Sequence, residues 1–81
     1  MGDPGSKSKA RRWLYELIKR RPDSPYVPYA YFAFGEMFFD EGKSDPAKNQ
    51  LAEHAFAEVL KHPDSPIASE ARSRMDDLKK R

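Results

Sequence analysis

The sequence predicts an all-α fold of about four helices, arranged as an array of antiparallel helix pairs, and three observations support this. Apolar residues recur at spacings of three and four in four segments, which is typical of amphipathic helices. The tetrapeptide Pro-Asp-Ser-Pro begins at Pro22 and again at Pro63, 41 residues later, and a fixed period carrying two helices indicates a helical repeat. The segment 29–39 is apolar or aromatic except at Gly35 and Glu36, as expected of a helix covered on most sides.

Length and composition exclude several classes of protein. A chain of 81 residues provides at most one domain, near the lower size limit for a core without disulfides or bound metal. It contains no cysteine, which excludes an internal disulfide and thiolate metal ligands. No apolar run approaches the roughly 20 residues of a membrane-spanning helix. We interpret residues 1–6 as a disordered leader or a cloning remnant, and residues 7–81 as a single helical domain.

The first helix is predicted over residues 8–21. Its apolar residues follow the three- and four-residue spacing of one helix face. They are Ala10, Trp13, Leu14, Leu17 and Ile18. The basic residues 19–21 suit the negative C-terminal end of the helix dipole, and Pro22 ends the helix.

The second helix is predicted over residues 28–40, after the first Pro-Asp-Ser-Pro corner. Asp23 and Ser24 offer side-chain oxygens to unpaired backbone amides, and Pro28 suits the first turn of a helix. Gly42 is placed to cap the C-terminal end. Because residues 22–42 hold seven of the nine Tyr and Phe residues, we expect this helix to need neighbours on more than one side.

Two further helices complete the predicted array. Asp45-Pro46 is a cap-then-proline signal that opens a third helix over residues 46–61. The apolar stripe of this helix comprises Ala47, Leu51, Ala52, Ala55, Phe56, Val59 and Leu60. A fourth helix is predicted over residues 67–80, after the second corner. Its apolar stripe is narrow, as in the end unit of a helical array, and consists of Ile67, Ala71, Met75 and Leu78.

Residues of the repeat unit carry a family pattern. The pattern reads Tyr31-x-x-Phe34-Gly35-x-x-Phe38, then Ala52-x-x-x-Phe56, then Pro63. It resembles the tetratricopeptide repeat (TPR), which implies one full repeat flanked by two half repeats. The chain departs from that family in its 41-residue period, against about 34, and in having tyrosine where the pattern begins with tryptophan.

The sequence around the first corner is similar to one branch of that superfamily. Pro-Asp-Ser-Pro-Tyr-Val-Pro-Tyr-Ala, starting at Pro22 and followed by Phe-Gly-Glu, resembles the bacterial periplasmic and outer-membrane lipoproteins. This branch includes the outer-membrane assembly lipoprotein and the Tol-Pal coordinating protein. The resemblance implies a scaffold role and a periplasmic or outer-membrane-associated location.

Motifs for catalysis are absent from the sequence. His54 and Glu58 lie four residues apart on the third helix, but two ligands without a third rarely hold a metal, and a helix-surface pair is the favoured interpretation. There is no Gly-rich phosphate loop and no local Ser-His-Asp arrangement. We therefore predict a protein that is not an enzyme and has no metal site and no cofactor.

The helix pattern and the resemblance together divide the candidate residues into a packing set and a binding set. The packing set, which would face neighbouring helices, is Trp13, Leu17, Tyr31, Phe34, Gly35, Phe38, Ala52, Phe56 and Val59. The binding set, which would line the concave side of the array, is Tyr29, Phe32, Glu36, Phe39 and Asp40. Exposed aromatic residues are costly unless something covers them, so the binding set needs a partner or a neighbouring helix.

Three alternatives remain for what covers the binding set. The first and fourth helices could cover it, a peptide or protein segment could bind there, or a second copy could cover it through an isologous contact or exchange of the first helix. Glu36 and Asp40 favour a basic ligand.

These alternatives lead to three functional hypotheses. The first is a protein–protein interaction module, and the second is a self-associating structural unit. A nucleic-acid binder is the third and most distant, because residues 1–25 carry a net charge of +4 whereas residues 26–60 carry −4. A continuous basic face would be a stronger signal for nucleic acid than these basic ends.

Overall fold

The computed structural model describes the backbone of residues 4–81 and the side chains of Lys9 and of residues 11–81. Four helices follow one another: α1 (Pro4–Arg20), α2 (Val27–Glu41), α3 (Ala47–Leu60) and α4 (Ala68–Lys79). No strand occurs within residues 4–81, so the predicted all-α class is confirmed.

Helix α1 begins earlier than the sequence pattern predicted. It starts at Pro4, inside the segment interpreted as a leader, and residues 1–3 of that segment lie outside the described residues. Proline is compatible with a helix start because the first turn has no intrahelical acceptor for its missing N–H. The other three helices begin and end within one or two residues of their predicted bounds.

Helix α2 is the centre of the arrangement. It packs most extensively on α3, and it also contacts α1 and α4. Helix α4 in turn packs on α3. The all-round apolar helix therefore has neighbours on three sides, as its sequence requires.

The core lies between α2, α3 and α4. Its fully buried members are Ala52, Phe56, Val59 and Ala71, and Phe56 and Val59 are its largest fully buried side chains. Partly buried apolar residues surround this centre; they are Tyr31, Phe32, Phe38, Phe39, Leu60, Ile67, Met75 and Leu78. Three of the four fully buried residues are supplied by α3, which makes this helix the main contributor to the core.

Gly35 allows α2 and α3 to approach closely. A Cβ atom at this position would lie 2.5 Å from Cε1 of Phe56, closer than carbon atoms pack. Because Phe56 is fully buried, its ring has little room to move aside. We expect Gly35→Ala to lower the free energy of unfolding by about 1–3 kcal/mol, since overpacking outweighs the gain in helix propensity. Urea denaturation followed by circular dichroism measures this change.

A second substitution tests the cause of that loss. Phe56→Leu removes the ring atoms that the new methyl group would meet, so the double variant should lose less stability than the sum of the two single variants. Strict additivity of the two losses would contradict the steric explanation.

Gly42 occupies the predicted capping position for a different reason from the one expected. Its φ of −65° is right-handed, so no left-handed conformation requires glycine here. Its N–H donates to the carbonyl oxygen of Phe38 at 2.7 Å, closing the last turn of α2. A Cβ atom would collide with Oδ1 of Asn49, so the glycine makes room for the α3 side chain that packs over this helix end.

Candidate functional site

The two aromatic residues at the centre of the predicted binding set lie against the core. The ring centroids of Phe32 and Phe56 are 5.5 Å apart, and those of Phe39 and Phe56 are 6.5 Å apart. Phe32 and Phe39 are half-buried, whereas Tyr29 and Asp40 are exposed. The structure therefore does not bring the five predicted residues together on one open surface.

Arg74 of α4 and Arg81, the second residue after the end of α4, contact Glu36 and Phe39. Nε of Arg74 donates to Oε1 of Glu36 at 2.5 Å, and this hydrogen bond raises the pKa of Arg74 above its ordinary value. The guanidinium of Arg81 lies 3.9 Å from the ring centroid of Phe39, and Nη1 of Arg81 donates to the carbonyl oxygen of the same residue at 2.9 Å. At these two residues the face is therefore contacted by the fourth helix and by the chain end that follows it.

Most of the predicted packing set occupies positions between helices. Gly35, Ala52, Phe56 and Val59 are buried, and Tyr31, Phe34 and Phe38 are half-buried. The last three line a shallow groove of about 280 Å³ between α1, α2 and α3. The other lining residues of this groove are Tyr15, Ile18, His54, Ala55 and Glu58.

Trp13 departs from its predicted packing role. Its side chain is 66% exposed, and no described side chain of α1 is buried. Arg11, Leu14 and Ile18 are spaced at three and four residues, so they share the face of α1 that lies towards α2. Trp13 precedes Leu14 and is turned about 100° away from that face.

An apolar groove runs between α1 and α2 beside the first Pro-Asp-Ser-Pro corner. We call it the α1–α2 groove. Its volume is about 470 Å³, and its lining is almost entirely apolar. The lining residues are Trp13, Leu14, Leu17, Tyr26, Tyr29 and Ala30. Tyr26 and Tyr29 are 67% and 45% exposed, so with Trp13 the groove presents three large aromatic side chains to solvent.

An ion-pair cluster holds the N-terminal half of α1 on α2. Arg11 pairs with Glu41, and Lys48 of α3 lies 3.8 Å from the same carboxylate. Both cations also lie over the ring of Phe38, with its centroid 5.2 Å from Cζ of Arg11 and 5.7 Å from Nζ of Lys48. Cations over an aromatic face are attracted to it, so this end of α1 is anchored while its C-terminal half borders the groove.

The two identical corners lie side by side at one end of the bundle. Residues of both copies line a single depression of about 310 Å³ with both polar and apolar walls, together with Pro28, Tyr29 and His62. Oγ of Ser24 accepts a hydrogen bond from the backbone N–H of Tyr26 at 3.2 Å, which fixes the first corner where it enters α2. The corner thereby orients Tyr26 and Tyr29 next to α1.

Three lining residues of the groove belong to neither predicted set: Leu14, Tyr26 and Ala30. One signal in the sequence could have identified Tyr26. It lies between the corner and the first residue of α2, so it is an aromatic residue outside any predicted helix face. That Tyr26 lies in the same groove as Trp13 is evident only from the three-dimensional structure.

No protein family, curated protein or solved structure matches this chain. Among the helices described here, each is too short or too polar to cross a membrane.

Proposed function

We propose that this chain is a non-catalytic protein–protein interaction module that binds an apolar segment of another protein in the α1–α2 groove. The observation that carries the proposal is the joint exposure of Trp13, Tyr26 and Tyr29 around one apolar groove. Contiguous apolar surface of this kind marks interaction sites on otherwise polar proteins. Trp and Tyr are also the residue types that most often supply binding energy at protein interfaces.

The chemistry of the groove favours a protein segment over a small molecule. Sites for small ligands combine apolar walls with a few convergent polar groups that fix the orientation of the ligand. The lining of the α1–α2 groove is almost wholly apolar, and the two tyrosines provide its main polar atoms. An apolar side chain or a helix face needs no such orienting groups, so it fits this lining better.

The proposal includes a TPR-like arrangement of the helices. Support comes from the close approach at Gly35, the extensive packing of α2 on α3 and the two corners at one end of the bundle. In such an array each helix pair leaves a face for its neighbour, and a partner segment can use the same face.

Binding of a labelled peptide tests the proposed function. A panel of fluorescein-labelled amphipathic helical peptides with a leucine stripe and neutral polar flanks would be titrated with the protein and followed by fluorescence anisotropy. We expect Trp13→Ser and Tyr26→Ser each to weaken binding about tenfold or more, because truncation of an aromatic anchor typically removes over 1 kcal/mol.

A matched control comes from α3. Leu51 is 43% exposed and lies outside the groove, so Leu51→Ser should leave peptide affinity unchanged. Circular dichroism should show the same helicity in all variants, since none of the three positions is buried. Affinity that is equal in the wild type and in Trp13→Ser, or no binding by any peptide, would contradict the proposal.

A further inference from the structure

We infer that the α1–α2 groove selects a helix whose apolar stripe is flanked by acidic residues. The inference rests on the proposed function and specifies the partner of the same groove. It is based on a comparison of two groups of charged residues: those that form ion pairs within the molecule and those that do not.

Basic side chains dominate the α1 side of the groove. Lys9 and Arg20 lie four residues before and seven residues after Trp13, so all three share one face of the helix. A second depression shares Trp13 and Leu17 with the groove, and the rest of its lining is Glu16, Arg20 and Arg21. The groove is therefore continuous with a basic surface.

Few of these charges are neutralised inside the molecule. Within the described residues, Lys9, Arg12, Lys19 and Arg21 take part in no ion pair. Arg20 pairs with Glu16 at 3.2 Å, but the Arg20 side chain is largely in solvent, where such a pair is worth little. A ligand carboxylate could therefore approach several free cations.

The acidic residues of α2 are already engaged on its other sides. Glu36 pairs with Arg74, Glu41 pairs with Arg11, and Asp40 lies 3.6 Å from Lys43. Two exposed corner carboxylates, Asp23 and Asp64, line the depression that shares Tyr29 with the groove, and they take part in no ion pair within the described residues. The sequence-based expectation of a basic ligand depended on Glu36 and Asp40, and the structure places neither of them in the groove.

An acidic amphipathic helix combines the two requirements. Its apolar stripe would bury the exposed rings of Trp13 and Tyr26, as in other complexes where a helix lies in an apolar groove. Carboxylates on the flank of the stripe that runs along α1 would face Lys9 and Arg21. Charges at the rim of an interface act mainly on the association rate and its salt dependence, and they penalise a partner of the wrong sign.

Two synthetic peptides of about 18 residues, five helical turns, test the inference. Both carry leucine at the same helical spacing; one has glutamate on the flanks and the other has lysine. Trp13 is the one tryptophan of the chain and lies in the groove, so its fluorescence reports occupancy directly. We expect the glutamate peptide to bind about tenfold tighter or more. This advantage should shrink between 50 and 200 mM salt, because salt screens exposed charges.

Charge reversal on the protein provides the complementary measurement. The double variant Lys9→Glu and Arg21→Glu should lose most of the preference for the glutamate peptide. Arg72→Glu on α4 is the matched control, since Arg72 is exposed, outside the groove and free of ion pairs in the described structure. It should keep the preference.

Each remaining outcome decides a separate question. Equal binding of both peptides, or tighter binding of the lysine peptide, would overturn the inference while leaving the proposed function intact. If neither peptide binds, both fail. A dimer detected by light scattering at two concentrations, with Trp13 shielded and both peptides excluded, would show that a second copy occupies the groove and would overturn the inference.

Discussion

Phe56→Ala is expected to lower the free energy of unfolding by about 3–5 kcal/mol, the usual cost of removing a buried aromatic ring. The ring is fully buried and contacts Phe32 and Phe39 from α2, and it fills the space left open at Gly35. Its removal leaves a cavity where three helices meet. Urea denaturation monitored by circular dichroism gives the change directly.

Leu51→Ala provides the control for this prediction. Leu51 lies on the same helix but is 43% exposed, so its truncation should change stability by less than about 1 kcal/mol. A domain of this size is stabilised by roughly 4–12 kcal/mol in total, so Phe56→Ala should remove a large share of the stability of the chain. Similar losses in the two variants would contradict the location of the core described above.

The helices could be predicted from the sequence because their boundaries depend on local chemistry. Prolines at Pro22, Pro46 and Pro63 interrupt the pattern of apolar residues, and each interruption falls next to a helix end in the structure. The early start of α1 at Pro4 was not predicted, because the residues before Ser8 show no apolar periodicity. A helix can extend through such a segment once the following turns have formed.

The candidate site was less predictable because it depends on where α1 and α4 lie around α2. The pattern identifies Phe32 and Phe39 as apolar, but it does not say which neighbour each one meets. That information resides in long-range contacts such as Arg74 with Glu36, which are 38 residues apart in the chain. No local spacing rule links two residues at that separation.

The sequence-based packing set also could not be assigned from local patterns alone, because it includes Trp13, which is exposed. Trp13 belongs to an amphipathic stripe, and such a stripe normally faces a core. The stripe is wider than the surface that α2 offers, so Leu14 and Ile18 lie towards α2 while Trp13 remains outside it. Predicting this would require the contact width of the neighbouring helix, which amphipathicity alone does not contain.

Replacing both Phe32 and Phe39 with serine decides between the sequence-based binding face and the α1–α2 groove. In the structure both rings pack against Phe56, so we expect the double variant to lose about 3–5 kcal/mol of stability and much of its helicity at room temperature. The two losses should not add fully, because both rings contact the same partner. Thermal denaturation followed by circular dichroism measures the effect.

The matched variant replaces Trp13 and Tyr26 with serine, which removes two exposed aromatic residues of the groove that lie outside the sequence-based binding set. It should keep its helicity, with a stability change of about 1 kcal/mol or less, and it should lose peptide binding. If the variant with serine at both Phe32 and Phe39 is stable but no longer binds peptide, the concave face is the binding surface and the groove is not. The rings of Phe32 and Phe39 pack on Phe56, whereas the aromatic rings of the groove face solvent. We therefore expect the first pair to serve folding and the groove residues to serve recognition.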